Sequence, residues 1–308
     1  MVKLYRKTGS AGPLIETDKM AERTWIYVEA PDAEEIEMLR DRWDLDAGHI
    51  QDALDPYEVP RFETEGEAAY IFTRVPEQLD DSFTTTPVLF ILTRRFIVTV
   101  VSRRIELFDQ FLSGTLVLSG TKPATVFLRL FGEVINRYST YIVRINKRVV
   151  SLAAVSGDGI RNRDIIALVS YEYILNDWLN AIVQTNAFLR NLADPRSGIF
   201  VNKLEREKVE DLLLATGQLI ALSKSSLLHA KNFRDASQTI LTNTLNRVIK
   251  FFTTLTIVMT IPTIIASFYG MNVRLPRANS DTVFIEILLG TLGLMAGLLV
   301  LFLRKNWL

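Results

Sequence analysis

The stretch FFTTLTIVMTIPTIIASFY (Phe251–Tyr269) decides the fold, because it carries no charged residue over 19 positions. A second apolar run, Val283–Leu303, contains only Glu286 as a charged residue over 21 positions. A helix needs about 20 residues to cross the ~30 Å hydrocarbon core of a bilayer. Buried core helices are the alternative, but two such runs joined by a short polar segment favour a transmembrane hairpin. Its outer loop is predicted at residues 270–282.

Basic residues at the ends of the hairpin predict its orientation. Two precede the first run and two follow the second, whereas the loop also holds two: Arg247, Lys250, Arg304 and Lys305, against Arg274 and Arg277. Lys and Arg favour the cytoplasmic side of a membrane. The first ten residues contain no apolar stretch suited to a secretory signal. We therefore expect a multi-pass protein of the cell membrane with both termini in the cytoplasm.

Composition excludes several classes of function. The 308 residues include 35 Lys and Arg, 35 Asp and Glu, no Cys and two His. A neutral chain lacks the basic excess that nucleic-acid phosphates demand. Without cysteine there are no disulfides or thiolate sites, and His49 and His229 lie apart in sequence, so both are expected to be ordinary surface or packing residues. No phosphate-binding loop or catalytic constellation is present, so we expect neither an enzyme nor an organic cofactor.

The rest of the chain divides by its periodicity. Residues 1–120 predict a mixed α/β domain with strands at Thr24–Glu29, Ala68–Val75, Pro87–Thr93 and Phe96–Val101, and a helix starting after Pro31. Residues 121–250 predict helices, with turns at 156–159 and 194–198. Residues 251–308 form the hairpin. The fold class is thus an α/β domain, a helical stalk and two transmembrane helices.

One helix is predicted to run from Lys203 to Tyr269, because this segment has one glycine and no proline before Pro262. At 1.5 Å per residue it would be ~100 Å long. Such a rod suits a bundle of identical stalks, which pack through apolar positions on one side. The positions are Val209, Leu212, Leu213, Leu219, Ile220 and Leu227.

Hydroxyl side chains recur along the first apolar run at spacings of four, three and four: Thr256, Thr260, Thr263 and Ser267. This spacing places them on one helix face, and the stripe continues through Thr253, Ile249, Asn246 and Thr242. Close helix packing is one explanation. The other explanation is a pore lining that contacts water and binds cations weakly. Two helices cannot enclose a channel, so a lining requires several copies, with Gly293 and Gly297 seating the second helix against the first.

The first run ends Ser267-Phe268-Tyr269-Gly270-Met271-Asn272, and here the chain resembles the CorA family of magnesium transporters. That family has Tyr-Gly-Met-Asn at the end of the first of two C-terminal transmembrane helices, then a short loop, a second span and a basic tail. Trp25–Val28 and the stretch 49–75, with Asp52-Ala53-Leu54 and Pro60-Arg61-Phe62-Glu63, are similar to its cytoplasmic domain.

The resemblance implies a funnel-shaped homopentamer whose long helices line a pore for divalent cations, Mg²⁺ first. It implies a selectivity mouth at Gly270, Met271 and Asn272, although Asn272 could instead cap the helix. Thr263 and Asn246 would form polar rings. Ile249 and Phe252 would form a hydrophobic constriction that gates by excluding water, with Phe252 expected to lie off the stripe.

The resemblance also implies a regulatory Mg²⁺ site between subunits, at Asp52 and Asp211, with Asp235 as a possible third member. Gln51 stands where the family often has an acidic residue, and the two loop arginines replace acidic ones. A relative that moves Zn²⁺, Co²⁺ or Ni²⁺, with or without protons, is therefore an open alternative. A membrane-anchored scaffold without ion flux is the alternative from another class.

Overall fold

The computed structural model describes residues 1–7, 14–79, 82–118, 120–154, 162–194, 199, 202–273 and 282–305. Two compact units follow one another along the chain, Met1–Asn232 and Phe233–Leu308. The first unit contains a sheet and helices. The second contains the two apolar segments.

The elements alternate early in the chain and become helical later. The strands are β1 Val2–Lys7, β2 Leu14–Glu16, β3 Thr24–Glu29, β4 Arg61–Glu65, β5 Ala68–Leu79, β6 Ser82–Leu92 and β7 Phe96–Val101. The helices are α1 Ala33–Trp43, α2 Ala47–Asp52, α3 Glu106–Leu112, α4 Pro123–Ala154, α5 Asn162–Ala193, α6 Lys203–Tyr269 and α7 Val283–Arg304.

The strands form one seven-stranded sheet in the order β2-β1-β3-β7-β6-β5-β4. Only β3 and β7 pair in parallel; every other neighbouring pair is antiparallel. Strands β3 and β7 are buried along almost their whole length. Unbroken apolar strands of this kind are typical of a sheet covered by helices on both faces.

Helices α1 and α2 cover one face of the sheet. Leu39 and Ile50 pack there against strand residues such as Ile26, Tyr70 and Phe72. A capping box begins α1: the Asp32 carboxylate accepts from the Glu35 backbone N–H (2.8 Å), and the Glu35 carboxylate accepts from the Asp32 N–H (3.2 Å). This confirms the predicted helix start after Pro31.

Aromatic side chains fill the opposite face. Phe90 of the sheet lies 5.5 Å from Phe127 and 6.1 Å from Phe108, measured between ring centroids in edge-to-face geometry. These rings belong to α4 and α3, and Phe131 of α4 also contacts Phe188 of α5. The core thus continues from the sheet into the helices across residue 120.

The predicted strands are all present. A hairpin at Arg94-Arg95 joins β6 to β7, closed by the hydrogen bond from the Thr93 N–H to the Phe96 carbonyl (3.1 Å). The prediction missed β1, β2 and β4, which lie at or near the sheet edges and are only partly buried. The long helix α6 has the predicted bounds. The two predicted turns fall largely on residues outside the described ranges.

The second unit consists of the C-terminal part of α6 and all of α7. Both helices are long and apolar enough to cross a membrane. Of the most apolar 18-residue stretch in each helix, 11% is buried. Thr254 and Val258 of α6 and Val283 and Thr291 of α7 are buried in this unit. Gly293 and Gly297 are exposed, and a Cβ at either would meet nothing within 4 Å. The expectation that they seat α7 against α6 is therefore wrong for a single chain.

An ion pair between the half-exposed Arg103 and the buried Glu77 in the first unit allows a test of the fold. The Glu77 carboxylate, 7% exposed, accepts hydrogen bonds from Arg103 (2.5 Å) and from the Thr86 hydroxyl (2.6 Å). We expect Arg103→Met to lower the free energy of unfolding by at least about 2 kcal/mol, because an uncompensated charge is left buried. Thermal or denaturant unfolding of the full chain in detergent measures the change.

Adding Glu77→Gln to Arg103→Met should recover part of this loss, since the buried charge is then gone. The control is Arg94→Met, at an 84% exposed arginine, with an expected change within about 0.5 kcal/mol. Equal effects of Arg94→Met and Arg103→Met would contradict the prediction.

Candidate functional site

The hydroxyl stripe on α6 faces away from the buried side of the helix. Thr256, Thr260 and Thr263 are exposed in the single chain, whereas Thr254 and Val258 are buried. At about 100° per residue, Thr254 and Val258 lie on the side opposite Thr256. The stripe is therefore not used for packing within this unit.

Each of these threonine hydroxyls donates a hydrogen bond to its own helix. Thr256 Oγ1 donates to the Phe252 carbonyl (2.9 Å), Thr260 Oγ1 to the Thr256 carbonyl (2.7 Å) and Thr263 Oγ1 to the Met259 carbonyl (3.1 Å). A hydroxyl has one donor and two acceptor lone pairs. With the donor used internally, the stripe offers only acceptors outward, which suits the waters of a hydrated cation.

The residues nearer the cytoplasmic end of the stripe are also exposed. Ile249 is 52% and Phe252 59% exposed, and Asn246 is exposed as well. Phe252 lies one turn before Thr256, as the bond from the Thr256 hydroxyl to its carbonyl shows. At about 100° per residue, Phe252 and Thr253 lie at opposite edges of the stripe, so the expectation that Phe252 lies off the stripe stays a prediction.

The Gly-Met-Asn segment follows the end of α6 at Tyr269. The Gly270 N–H donates to the Ala266 carbonyl (2.9 Å), and the Met271 N–H donates to the Phe268 carbonyl (3.3 Å). A Cβ on Gly270 would lie 3.3 Å from the Ala266 carbonyl oxygen, so glycine permits this close turn. Within the described residues the Asn272 side chain makes no hydrogen bond, and the helix is completed by backbone bonds.

The predicted regulatory carboxylates lie on two elements, Asp52 on α2 and both Asp211 and Asp235 on α6. Asp52 ends α2, is 50% exposed and accepts from Arg61 Nη2 through Oδ2 (2.7 Å). Asp211 is exposed on α6, and Asp235 is exposed beside Arg234 (3.7 Å). None of the three belongs to a group of three metal-ligating side chains in the described part of the chain.

A group that the sequence did not indicate lies beside Asp52. One ligand atom each from Asp46, His49 and Glu65 lies within 4.8 Å of the other two. His49 was expected to be a surface or packing residue, and its ring packs against Tyr70 and Phe72. Glu65 is sixteen residues away in sequence and is brought to His49 by strand β4, so spacing alone carried no signal.

Tyr70 supports this group from the sheet. Its hydroxyl accepts from the Asp46 backbone N–H (2.8 Å), and its ring lies 4.4 Å from the His49 ring. Burial raises the pKa of the Tyr70 hydroxyl. The phenol therefore stays neutral and holds Asp46 and His49 in place.

The sequence model of the family described as "CorA-like Mg2+ transporter protein" matches residues 21–305. The chain belongs to the CorA family. It is a member of a family of membrane transporters for divalent cations, in agreement with its two helices of membrane-spanning length.

Relatives of this CorA-family chain agree in sequence and fold. The cobalt/magnesium transport protein CorA of Methanocaldococcus jannaschii is 22% identical over 294 residues, covering 92% of this chain and 90% of its own. The complete CorA structure from that organism aligns with TM-score 0.86 at 19% identity, over 100% of this chain and 99% of the other. The full-length CmaX structure aligns with TM-score 0.75 at 13% identity, covering 96% and 97%.

Cysteine substitution tests which face of α6 meets water. The chain has no native cysteine, so each single substitution gives an unambiguous signal. We expect Thr256→Cys, Thr260→Cys and Thr263→Cys to react with a membrane-impermeant, cationic thiol reagent in liposomes. Leu289→Cys on α7, at a position 64% exposed in the single chain, should remain unreacted because lipid covers it. Mass spectrometry measures modification. Protection of all four cysteines would show that the stripe is packed.

Proposed function

We propose that several copies of this chain, five by the family resemblance, form a pore that passes divalent cations, Mg²⁺ first, into the cytoplasm. The observation that carries the proposal is the exposed threonine stripe whose hydroxyls donate inward. One α6 helix presents the stripe on one side only. A ring of α6 helices around an axis would surround a channel with acceptor oxygens.

The mouth of this pore is proposed at Gly270, Met271 and Asn272. Mg²⁺ holds its waters in a tight octahedron and releases them reluctantly. A ring of carboxamide and carbonyl oxygens can bind the hydrated ion through those waters. The exposed Asn272 carboxamide and the exposed threonines support such weak, repeated sites, which permit conduction. Asn246 would add a polar ring, and Ile249 and Phe252 a hydrophobic constriction.

The membrane potential supplies the driving force. A divalent cation entering through ~100 mV gains about 4.6 kcal/mol, at ~2.3 kcal/mol per charge. No nucleotide-binding loop is needed for such a flux, and the proposed activity is transport without a chemical reaction. With both termini in the cytoplasm, Asn272 would face the outside and Asp52 the inside.

Co²⁺ is the second candidate cargo. The name of the Methanocaldococcus jannaschii relative includes cobalt. Zn²⁺ and Ni²⁺ are further candidate cargoes. A flux that changes with pH would indicate coupling to protons.

Ion entry into liposomes tests the pore. We expect Mg²⁺ flux, followed with an enclosed Mg²⁺-sensitive dye, to be abolished by Asn272→Ala and lowered by at least about tenfold by Thr263→Val. Each lost hydrogen bond contributes ~1 kcal/mol, and the loss is repeated in every copy. Co²⁺ and Zn²⁺ are measured in parallel.

The matched control is Thr291→Val on α7. Its hydroxyl also donates to its own helix, to the Ile287 carbonyl (2.6 Å), but the residue is buried within the unit. Flux should therefore survive in Thr291→Val. Absence of flux for every cation, even without Mg²⁺ inside, would favour the scaffold.

Regulation is proposed at Asp52 and Asp211, with Asp235 as a third member. Carboxylates from neighbouring copies repel one another, and a bound Mg²⁺ relieves the repulsion and holds the copies together. The Arg61 guanidinium forms an ion pair with Asp52 and also binds Glu63 (2.5 Å) and Glu58. It keeps two partners when a cation takes Asp52, so the exchange costs little.

Limited proteolysis tests the regulatory site. In wild-type protein, Mg²⁺ should slow cleavage, and Asp52→Asn combined with Asp211→Asn should abolish this protection because the bridging charges are gone. The control is Glu207→Gln, at an exposed carboxylate on the same helix as Asp211. Full Mg²⁺ protection in the double variant would exclude these two residues as the site.

A further inference from the structure

A histidine and three carboxylates converge at the edge of the sheet in the first unit. His49 lies on α2, Asp46 caps that helix, and Glu63 and Glu65 lie two residues apart on the edge strand β4. Residues two apart on a strand point to the same face. Both glutamates therefore face α2, and none of the four side chains belongs to the proposed pore or to the Asp52 and Asp211 pair.

The separations between the ligand atoms fit a bound cation. His49 Nε2 lies 3.6 Å from Glu65 Oε2 and 3.7 Å from Glu63 Oε2. These distances are too long for direct hydrogen bonds. Zn–N and Zn–O bonds of ~2.0–2.2 Å place neighbouring ligands of a tetrahedron about 3.3–3.6 Å apart. Asp46 supplies a third ligand atom, within 4.8 Å of the other two.

The imidazole is held firmly while its Nε2 points to the carboxylates. The His49 side chain is 16% exposed, and its ring packs against Tyr70 at 4.4 Å and edge-on to Phe72 at 6.0 Å. The Asp46 carboxylate also accepts the His49 backbone N–H (2.7 Å), which fixes the start of the helix. A ligand set held in this way loses little freedom when an ion binds.

Arg61 orients the third carboxylate, that of Glu63. It binds Glu63 Oε1 (2.5 Å), leaving Glu63 Oε2 on the histidine side, and its guanidinium stacks 3.8 Å from the Phe72 ring centroid. Groups behind the ligands that fix their orientation are typical of metal sites. Glu65, 61% exposed, leaves one side open to water and to an entering ion.

We propose that Asp46, His49 and Glu65, with Glu63 beside them, form a binding site for a transition-metal divalent cation of the Zn²⁺, Co²⁺ and Ni²⁺ class. One imidazole with carboxylates suits these ions, whereas Mg²⁺ prefers oxygen ligands alone. The site is therefore distinct in chemistry from the oxygen-only sites of the pore and the regulatory pair.

Zinc binding to the full-length protein tests the site directly. The purified protein in detergent is stripped with a chelator and dialysed to equilibrium against Zn²⁺ with an excess of Mg²⁺, which fills the oxygen-only sites. Bound Zn²⁺ per chain is measured by atomic emission. We expect His49→Gln and Glu65→Gln each to weaken Zn²⁺ binding by at least about tenfold, as loss of metal-site partners does.

The second histidine provides the matched control. His229→Gln removes the same side chain from α6, and Zn²⁺ binding should not change. Because Glu65 is exposed at the sheet edge, its substitution leaves the core intact, so a loss in Glu65→Gln reports on binding. Flux is not measured, and the result is independent of the transport proposal.

Three outcomes would overturn the site. They are Zn²⁺ binding that survives His49→Gln, Zn²⁺ that excess Mg²⁺ displaces, and a loss in His49→Gln with Glu65→Gln unchanged. Loss in both variants, with His229→Gln equal to wild type, would establish it.

Discussion

The apolar surface of the second unit has to be removed from water, and the rest of the molecule depends on how this happens. In the single chain, only 11% of the most apolar 18-residue stretch of α6, and the same share of that of α7, is buried. Exposing apolar surface costs roughly 25 cal/mol per Å². Lipid can cover the aliphatic faces, but it gains nothing from Thr256, Thr260 and Thr263. The same helix therefore carries one surface for lipid and another for water or for other copies.

Internal hydrogen bonding gives the polar surface its character. Hydroxyls that donate to the preceding turn are satisfied as donors, so they survive in a low-dielectric environment without trapping an ion. What they still offer is acceptor capacity. The water molecules around a cation can donate hydrogen bonds to these acceptor oxygens. Back-bonded threonines therefore suit both helix packing and the proposed pore lining, and exposure distinguishes the two cases: Thr291 has the bond and is buried, whereas Thr263 is exposed.

Local and regular features of this fold were predictable from sequence. The length of the two nearly uncharged runs predicted the two apolar helices, and continuous apolar runs predicted β3 and β7. The scarcity of glycine and proline between Lys203 and Tyr269 predicted the bounds of α6. Edge strands were missed because half-buried segments such as Arg61–Glu65 lack a clear period. The Gly-Met-Asn ending was visible because its residues are adjacent. The proximity of His49 to Glu65 was not predictable, because the tertiary structure brings β4 to α2 and sequence spacing does not reveal this.

Charge at the edge of the sheet connects the two proposed cation sites through one arginine, Arg61. Arg61 binds Asp52, Glu58 and Glu63, while the second oxygen of Glu63 faces His49. An ion at His49 would draw on Glu63 and weaken its bond to Arg61, which then holds Asp52 more firmly. An ion at Asp52 would have the reverse effect, because Arg61 is released toward Glu63. Linkage is reciprocal, so the proposed transition-metal site and the proposed Mg²⁺ site oppose each other if both are occupied.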